Sequence, residues 1–223
     1  MNILVTGARG FIGRNLIAQL RVREGCAVTP FDVDHSPDDL RGGLAAAEIV
    51  YHLAGVNRPR ITEEFEIGNA GLTRTICEIL RELGRTPVIV MSSSVQAGLE
   101  NPYGISKRHA EDALREYAAQ TGARVCIYRL KNVFGKWCRP NYNSVVATFC
   151  HNIANDLPIR ISDPNCEMEL VYVDDVVKAF LAALAAGPLP DGRGSVSEIP
   201  SVRLTLGDLA GRIQSFHDMR SNL

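Results

Sequence analysis

Short apolar runs alternate with longer stretches in which apolar residues recur every three to four positions, beginning at the second residue of the chain. The runs at 2–6, 27–32, 49–53, 88–92 and 124–130 have the length and the Ile/Val/Leu content of buried strands. Between them, 11–23, 38–47, 72–83 and 103–120 read as helices. In the third of these, Leu72, Ile76, Ile79, Leu80 and Leu83 fall at i, i+4, i+7, i+8 and i+11, one face of a 3.6-residue period. Strands that alternate with helices predict an α/β chain, a doubly wound parallel sheet of the Rossmann type.

After Leu130 the pattern breaks. Residues 131–143 hold Gly, Pro, Asn and the single Trp, and a helix is expected at 144–155. A strand-like run at 158–162 follows, and the apolar run Leu170-Val-Tyr-Val173 is expected to rejoin the main sheet before another helix. Residues 187–197, rich in Gly, Pro and Ser, read as a surface loop. The expected organisation is a dinucleotide-binding domain at 1–131 and 167–186, with a small substrate-binding lobe at 132–166 and 187–223.

Composition narrows the class. The chain has 223 residues, 46% hydrophobic, with 24 basic against 25 acidic side chains. A chain of this length buries roughly 70% of its unfolded surface, enough for a sizeable core. No block of like charges offers a nucleic acid or an acidic membrane its electrostatic footprint, so neither is an expected partner. No apolar stretch approaches the ~18 residues of a membrane span, and Met1 leads straight into Ile3-Leu4-Val5 without the pattern of a secretory signal, which places the chain in the cytoplasm. Six cysteines without a CxxC read as buried structural thiols, and five histidines without ligand spacing predict no metal site.

The first strand ends in Thr6-Gly7-Ala8-Arg9-Gly10-Phe11-Ile12-Gly13, a G-x-x-G-x-x-G turn that opens a helix. Glycine at these places permits a tight turn, close approach of backbone to a pyrophosphate and close packing of helix on strand. Alone, the spacing is weak evidence; its place between first strand and first helix, some twenty residues before Asp32 at the end of the second strand, is the context a dinucleotide requires. Asp32 as an acceptor of ribose hydroxyls favours NAD, whereas Arg9 in the turn can pair with a 2′-phosphate and favours NADP. The two signals conflict.

Asn101-Pro102 reads as an N-cap and first helical residue, which puts Tyr103 and Lys107 on one helix face at i, i+4. A phenol exchanges a proton more readily when an ammonium stabilises its phenolate, so the pair suits ketone or alcohol chemistry. Ser92-Ser93-Ser94, at the end of the preceding apolar strand, can hydrogen-bond the same oxygen. Asp174 and Asp175 read as acids of a helix N-terminus.

Taken together, the glycine turn, His52-Leu-Ala-Gly55, the serine run, Pro-Tyr-Gly-Ile-Ser-Lys, Arg129-Leu-Lys-Asn-Val-Phe-Gly135 and Val173-Asp-Asp175 resemble the extended short-chain dehydrogenase/reductase family, over Met1 to about Ala186. More narrowly, residues 50–59, 101–104 and 132–149 resemble the reductase half of bacterial capsular polysaccharide enzymes. The resemblance implies reduction of the C4 ketone of a UDP-2-acetamido-2,6-dideoxy-hexulose by NADPH, with NADH possible, and a homo-oligomer, a homodimer. It assigns Tyr103 as proton donor, and Lys107 as holder of the nicotinamide ribose and stabiliser of the phenolate. It favours Ser93 as the catalytic serine, with Ser94 the alternative. Cofactor contacts are expected from Gly7, Arg9, Gly10, Phe11, Ile12, Gly13, Asp32, Leu53, Ala54, Gly55 and Lys107, and nucleotide-sugar contacts from Asn132, Arg139 and Tyr142. Full-length relatives are expected to carry a zinc-bearing C-terminal cupin domain that epimerises C3; residues 1–223 match the reductase half alone. Two other readings use the same residues: a C4 epimerase that keeps NAD bound, and a dinucleotide-binding sensor without turnover.

Overall fold

A computed structural model describes residues 1–185, 195–197 and 199–219. Six parallel strands form the main sheet, in the order β2-β1-β3-β4-β5-β8. They are β1 (Asn2–Thr6), β2 (Ala27–Phe31), β3 (Ile49–His52), β4 (Val88–Ser94), β5 (Val125–Leu130) and β8 (Ser195–Ser197). The central strands β1, β3 and β4 are buried along most of their length because helices cover both faces, which is why they read as unbroken apolar runs. β2 lies at the edge and is half exposed, and there Pro30, with no N–H to give, is tolerated opposite Val5. Leu4, Leu44, Val50, Ile76, Ile89 and Leu114 share one buried cluster.

Between these strands run α1 (Phe11–Arg21), α2 (Pro37–Ala46), a single turn α3 (Glu63–Phe65), α4 (Leu72–Glu82) and α5 (Pro102–Thr121). A π-helical segment, Glu66–Gly71, joins α3 to α4. The chain leaves β1 for β2 on one side and passes to β3 on the other, so the strand order reverses between β1 and β3. Ligands of doubly wound sheets bind in the crevice outside the carboxyl ends of the strands at such a point.

The chain divides into two compact units, Met1–Leu130 with Val177–Glu198 and Lys131–Val176 with Ile199–Leu223. The second unit has its own three-stranded sheet, β6 (Asn132–Phe134), β7 (Glu167–Tyr172) and β9 (Val202–Thr205), in which β7 pairs with β6 in parallel and with β9 antiparallel. Phe149 and Ile153 of α6 (Val145–Ala154), Leu170, and Leu206 and Leu209 of α8 (Leu206–Met219) form its core. Helix α7 (Val173–Ala185) opens with Asp174 and Asp175 in its first turn.

Three expectations need correction. The run around Leu170 does not rejoin the main sheet: it alternates with Glu167 and Glu169, the pattern of a strand covered on one face only, and it pairs within the second unit. The boundary therefore falls at Val177 instead of 167. Residues 158–162 form no strand. Of the expected loop at 187–197, positions 187–194 lie outside the described residues, whereas 195–197 form β8 against Cys126, Ile127 and Tyr128. The thiols are also less uniform than expected: Cys77 and Cys126 are buried, Cys26 and Cys138 half-buried, and Cys150 and Cys166 exposed.

Candidate active site

β1 runs into Gly7, whose φ of +66° lies in the left-handed region that favours glycine. A Cβ at Gly7 would stand 2.7 Å from the Ala54 nitrogen, and one at Gly13 would stand 2.2 Å from the Gly7 carbonyl oxygen. The turn closes through Gly10 N–H to the Gly7 carbonyl at 3.0 Å, and α1 begins at Phe11 and Ile12 with no side-chain cap on its first N–H groups. A side chain at Gly7 or Gly13 would fill this cradle; without one the residues fit a pyrophosphate. The loop Leu53-Ala54-Gly55 lies against it, Ala54 N–H donating to Thr6 Oγ1 at 3.2 Å. Gly55 has Asn69 Oδ1 and Lys107 Nζ as its nearest side-chain neighbours.

Arg9 and Asp32, read from sequence as rivals, lie together. Asp32 accepts from the Arg9 backbone N–H at 2.7 Å, while the Arg9 guanidinium is ion-paired with Asp34. Arg9 is thus not a free loop cation but shares its charge with two carboxylates, its Nε lying 3.9 Å from Asp32.

Helix α5 starts as the sequence predicts: Asn101 caps it, accepting from Gly104 N–H at 2.8 Å, and Pro102 occupies the first turn. A Cβ at Gly104 would lie 2.1 Å from the Gln96 carbonyl oxygen, so glycine lets the helix start press against the turn that follows β4. Tyr103 is half-buried, with Phe65 as an aromatic neighbour at 5.5 Å. Burial pushes its phenol pKa up, and a hydrogen bond with Ser94 works against that rise. Lys107 is buried and donates to the Ser92 carbonyl at 2.8 Å; burial draws its pKa down to about 8, opposed by the charge of Glu111.

The two candidate serines have different surroundings. Ser93 gives its hydroxyl proton to Glu111 Oε1 at 2.5 Å, whereas Ser94 Oγ accepts from Gln96 N–H at 3.2 Å and acts on the Tyr103 phenol to lower its pKa. Successive side chains of an extended strand point to opposite faces, so the two serines cannot both serve the phenol.

A buried polar string ties the cradle to the helix. Thr73 donates to the Asn69 carbonyl at 2.8 Å, so its oxygen must accept from His52 Nε2–H at 2.9 Å, and His52 Nδ1 accepts from Thr6 Oγ1 at 2.9 Å. Burial, then the charge of Lys107, lowers the His52 pKa to about 3, which keeps the ring neutral. Asn69 continues the string to Ser106 Oγ at 3.0 Å, and Ser106 donates to the Tyr103 carbonyl at 2.8 Å.

Asn132, Arg139 and Tyr142 belong to the second unit. Asn132 begins β6, and Arg139 and Tyr142 stand in the loop before α6 with the guanidinium 5.5 Å from the ring centroid. All three are exposed. Residues the sequence reading passed over are Glu111, Asn69 and Thr73. Glu111 had a signal: an acid four residues beyond Lys107 and eight beyond Tyr103, on the buried face of the helix.

Residues 3–192 match the model of the NAD dependent epimerase/dehydratase family, and the chain belongs to that family. It is 46% identical over its whole length to the UDP-2-acetamido-2,6-beta-L-arabino-hexul-4-ose reductase of Pseudomonas aeruginosa, of which it spans 59%. Its fold superposes on the capsular polysaccharide assembling protein CapF of Staphylococcus aureus with a TM-score of 0.88 and 41% identity, covering all of this chain and 60% of that one. A UDP-glucuronic acid 4-epimerase of Bacillus cereus, solved with NAD, shares the fold at TM-score 0.86 and 20% identity, covering 98% of this chain and 85% of that one.

Proposed function

We propose that this chain uses NADPH to reduce the C4 ketone of a UDP-2-acetamido-2,6-dideoxy-hexulose. The product would lead to UDP-N-acetyl-L-fucosamine for capsule or O-antigen polysaccharide, made in the cytoplasm by a homodimer. The observation that carries this reading is Lys107, buried one helical turn beyond Tyr103 and seated on the Ser92 carbonyl at 2.8 Å, in a chain 46% identical to the Pseudomonas reductase.

The glycine cradle at Gly7, Gly10 and Gly13 would hold the pyrophosphate of the dinucleotide, which when bound would supply the hydride that C4 accepts. Tyr103 gives its hydroxyl proton to the carbonyl oxygen, so the ketone becomes an alcohol and a phenolate remains. Lys107, held as an ammonium against the Ser92 carbonyl, lowers the energy of that phenolate. Ser94 orients the phenol and the substrate oxygen. Asn132, Arg139 and Tyr142 are assigned to the nucleotide half of the substrate, where a guanidinium can grip a diphosphate with two hydrogen bonds.

The test is NADPH consumption by this chain in the presence of a UDP-4-keto-6-deoxy-N-acetylhexosamine, with NMR of the product. A single C4 alcohol is expected. Absence of turnover, or NAD that survives purification together with interconversion of C4 epimers, overturns the reading. Tyr103→Phe should lose about 10²- to 10⁴-fold in rate, the worth of a general acid, with dinucleotide affinity nearly unchanged.

A further inference from the structure

Beyond the residues that meet the phenol, α5 carries a carboxylate with no solvent exposure. Glu111 receives four hydrogen bonds: from Ser93 Oγ at 2.5 Å, from Arg129 Nε at 2.9 Å and its terminal nitrogen at 2.7 Å, and from Arg115 at 2.9 Å. Burial works to raise its pKa, and the bonds from Arg129, Ser93 and Arg115 outweigh it, holding the carboxyl below the usual carboxylate range. A charge buried at this cost is kept only where its surroundings are built for it.

Glu111 grips the middle of the three-serine segment of β4, while the outer two face the site's working groups: Ser92 gives its carbonyl to Lys107, and Ser94 acts on the Tyr103 phenol to lower its pKa. A strand end held at Ser93 fixes the position of both neighbours. Glu111 also stands one helical turn from Lys107 and, among the described residues, is the acid whose charge acts on it; the other ionisable neighbour, His52 of β3, is kept neutral. The groups facing Glu111 itself are Ser93 of β4, Arg129 of β5, and Arg115 of α5, which also pairs with Asp112.

We propose that Glu111 is a positioning residue of the reductase site, anchoring the β4 terminus through Ser93 and supplying the buried negative charge that keeps Lys107 an ammonium. The catalytic half of this inference rests on the function proposed above; the charge half does not.

Lys107 is one of four lysines in the chain, so its Nζ can be assigned by ¹⁵N NMR against a Lys107→Arg variant and titrated directly, without cofactor or sugar. Its midpoint in the unaltered chain is expected near 8. Glu111→Gln leaves the Arg129 guanidinium without its carboxylate and should lower that midpoint by roughly one pH unit, as a unit charge one to two helical turns away does at an effective dielectric of about 20. Arg129→Gln should move it the opposite way. In turnover, Glu111→Gln should cost roughly tenfold in kcat at neutral pH with KM little changed, and its alkaline limb should shift down with the NMR midpoint. Ser93→Ala should lower kcat severalfold and leave the midpoint in place. An unmoved midpoint in folded Glu111→Gln overturns the inference. If that variant fails to fold, Arg129→Gln decides: a midpoint that stays or falls overturns it. An unaltered chain that reduces no sugar refutes the proposed substrate while the Lys107 titration still stands or falls on its own.

Discussion

Lys107 donates from Nζ to the carbonyl oxygen of Ser92 at 2.8 Å, two residues before Ser94, which lowers the pKa of the Tyr103 phenol. One short strand end therefore seats the cation on its backbone and brings a hydroxyl to act on the phenol. Ser94→Ala should remove the hydroxyl partner of Tyr103 and leave Lys107 seated. A loss of roughly 10²- to 10³-fold in kcat is expected, the range for deletion of a preorganised donor. Steady-state kinetics beside Ser93→Ala checks it; equal losses would reject the assignment of Ser94.

Cofactor choice should respond to the acids around Arg9. Arg9→Ala is expected to weaken NADPH by roughly ten- to a hundredfold and NADH little, since only the former offers a 2′-phosphate. Asp34→Asn releases the guanidinium from an exposed, weakly held ion pair, so NADPH should tighten by up to about fivefold against NADH. Fluorescence titrations with both dinucleotides read the ratio.

His52 makes stability depend on pH with a definite sign. Its folded pKa of about 3 lies below the ordinary 6.5, so unfolding takes up a proton between these values. The stability it contributes is full above about 6.5 and is lost as pH falls towards 3, at up to about 1.4 kcal/mol per pH unit. Urea unfolding at pH 7.5, 6.5 and 5.5 should show a shallower acid slope in His52→Gln than in the unaltered chain.

Two glycines separate cradle from strain. At Gly13 a Cβ would meet the Gly7 carbonyl at 2.2 Å, a backbone atom that cannot step aside without opening the turn. Gly13→Ala should lose at least tenfold in dinucleotide affinity. Gly25 has φ +75° but open space around it, so Gly25→Ala should cost roughly 1–2 kcal/mol of stability and leave binding intact. Thermal shift with and without NADPH distinguishes the two.

What the sequence made legible follows from burial. The strands β1, β3, β4 and β5 are covered on both faces and announce themselves as apolar runs, and the cap and proline at Asn101-Pro102 mark the start of α5 to within one residue. β6 and β9 have three and four residues, half exposed, too short for a period to be counted. The choice between Ser93 and Ser94 turns on which face each residue of the strand end points to, and β4 extends two residues beyond the apolar run at 88–92. Asn69 lies in a π-helical segment, whose spacing matches neither the 3.6 nor the 2.0 period that pattern reading relies on.

The polar string through Thr6, His52, Thr73 and Asn69 has a direction: each donor points towards the Asn69 carbonyl or into the ring, with one imidazole tautomer fixed between them. Replacing either threonine by valine strands one ring nitrogen inside the protein, while replacing the histidine alone leaves the Thr6 hydroxyl proton without its acceptor. These positions therefore form a unit of inheritance. A lineage, or an engineer, that changes them one at a time must pass through weakened intermediates, whereas a wholly apolar substitute is reachable only by exchanging the set at once.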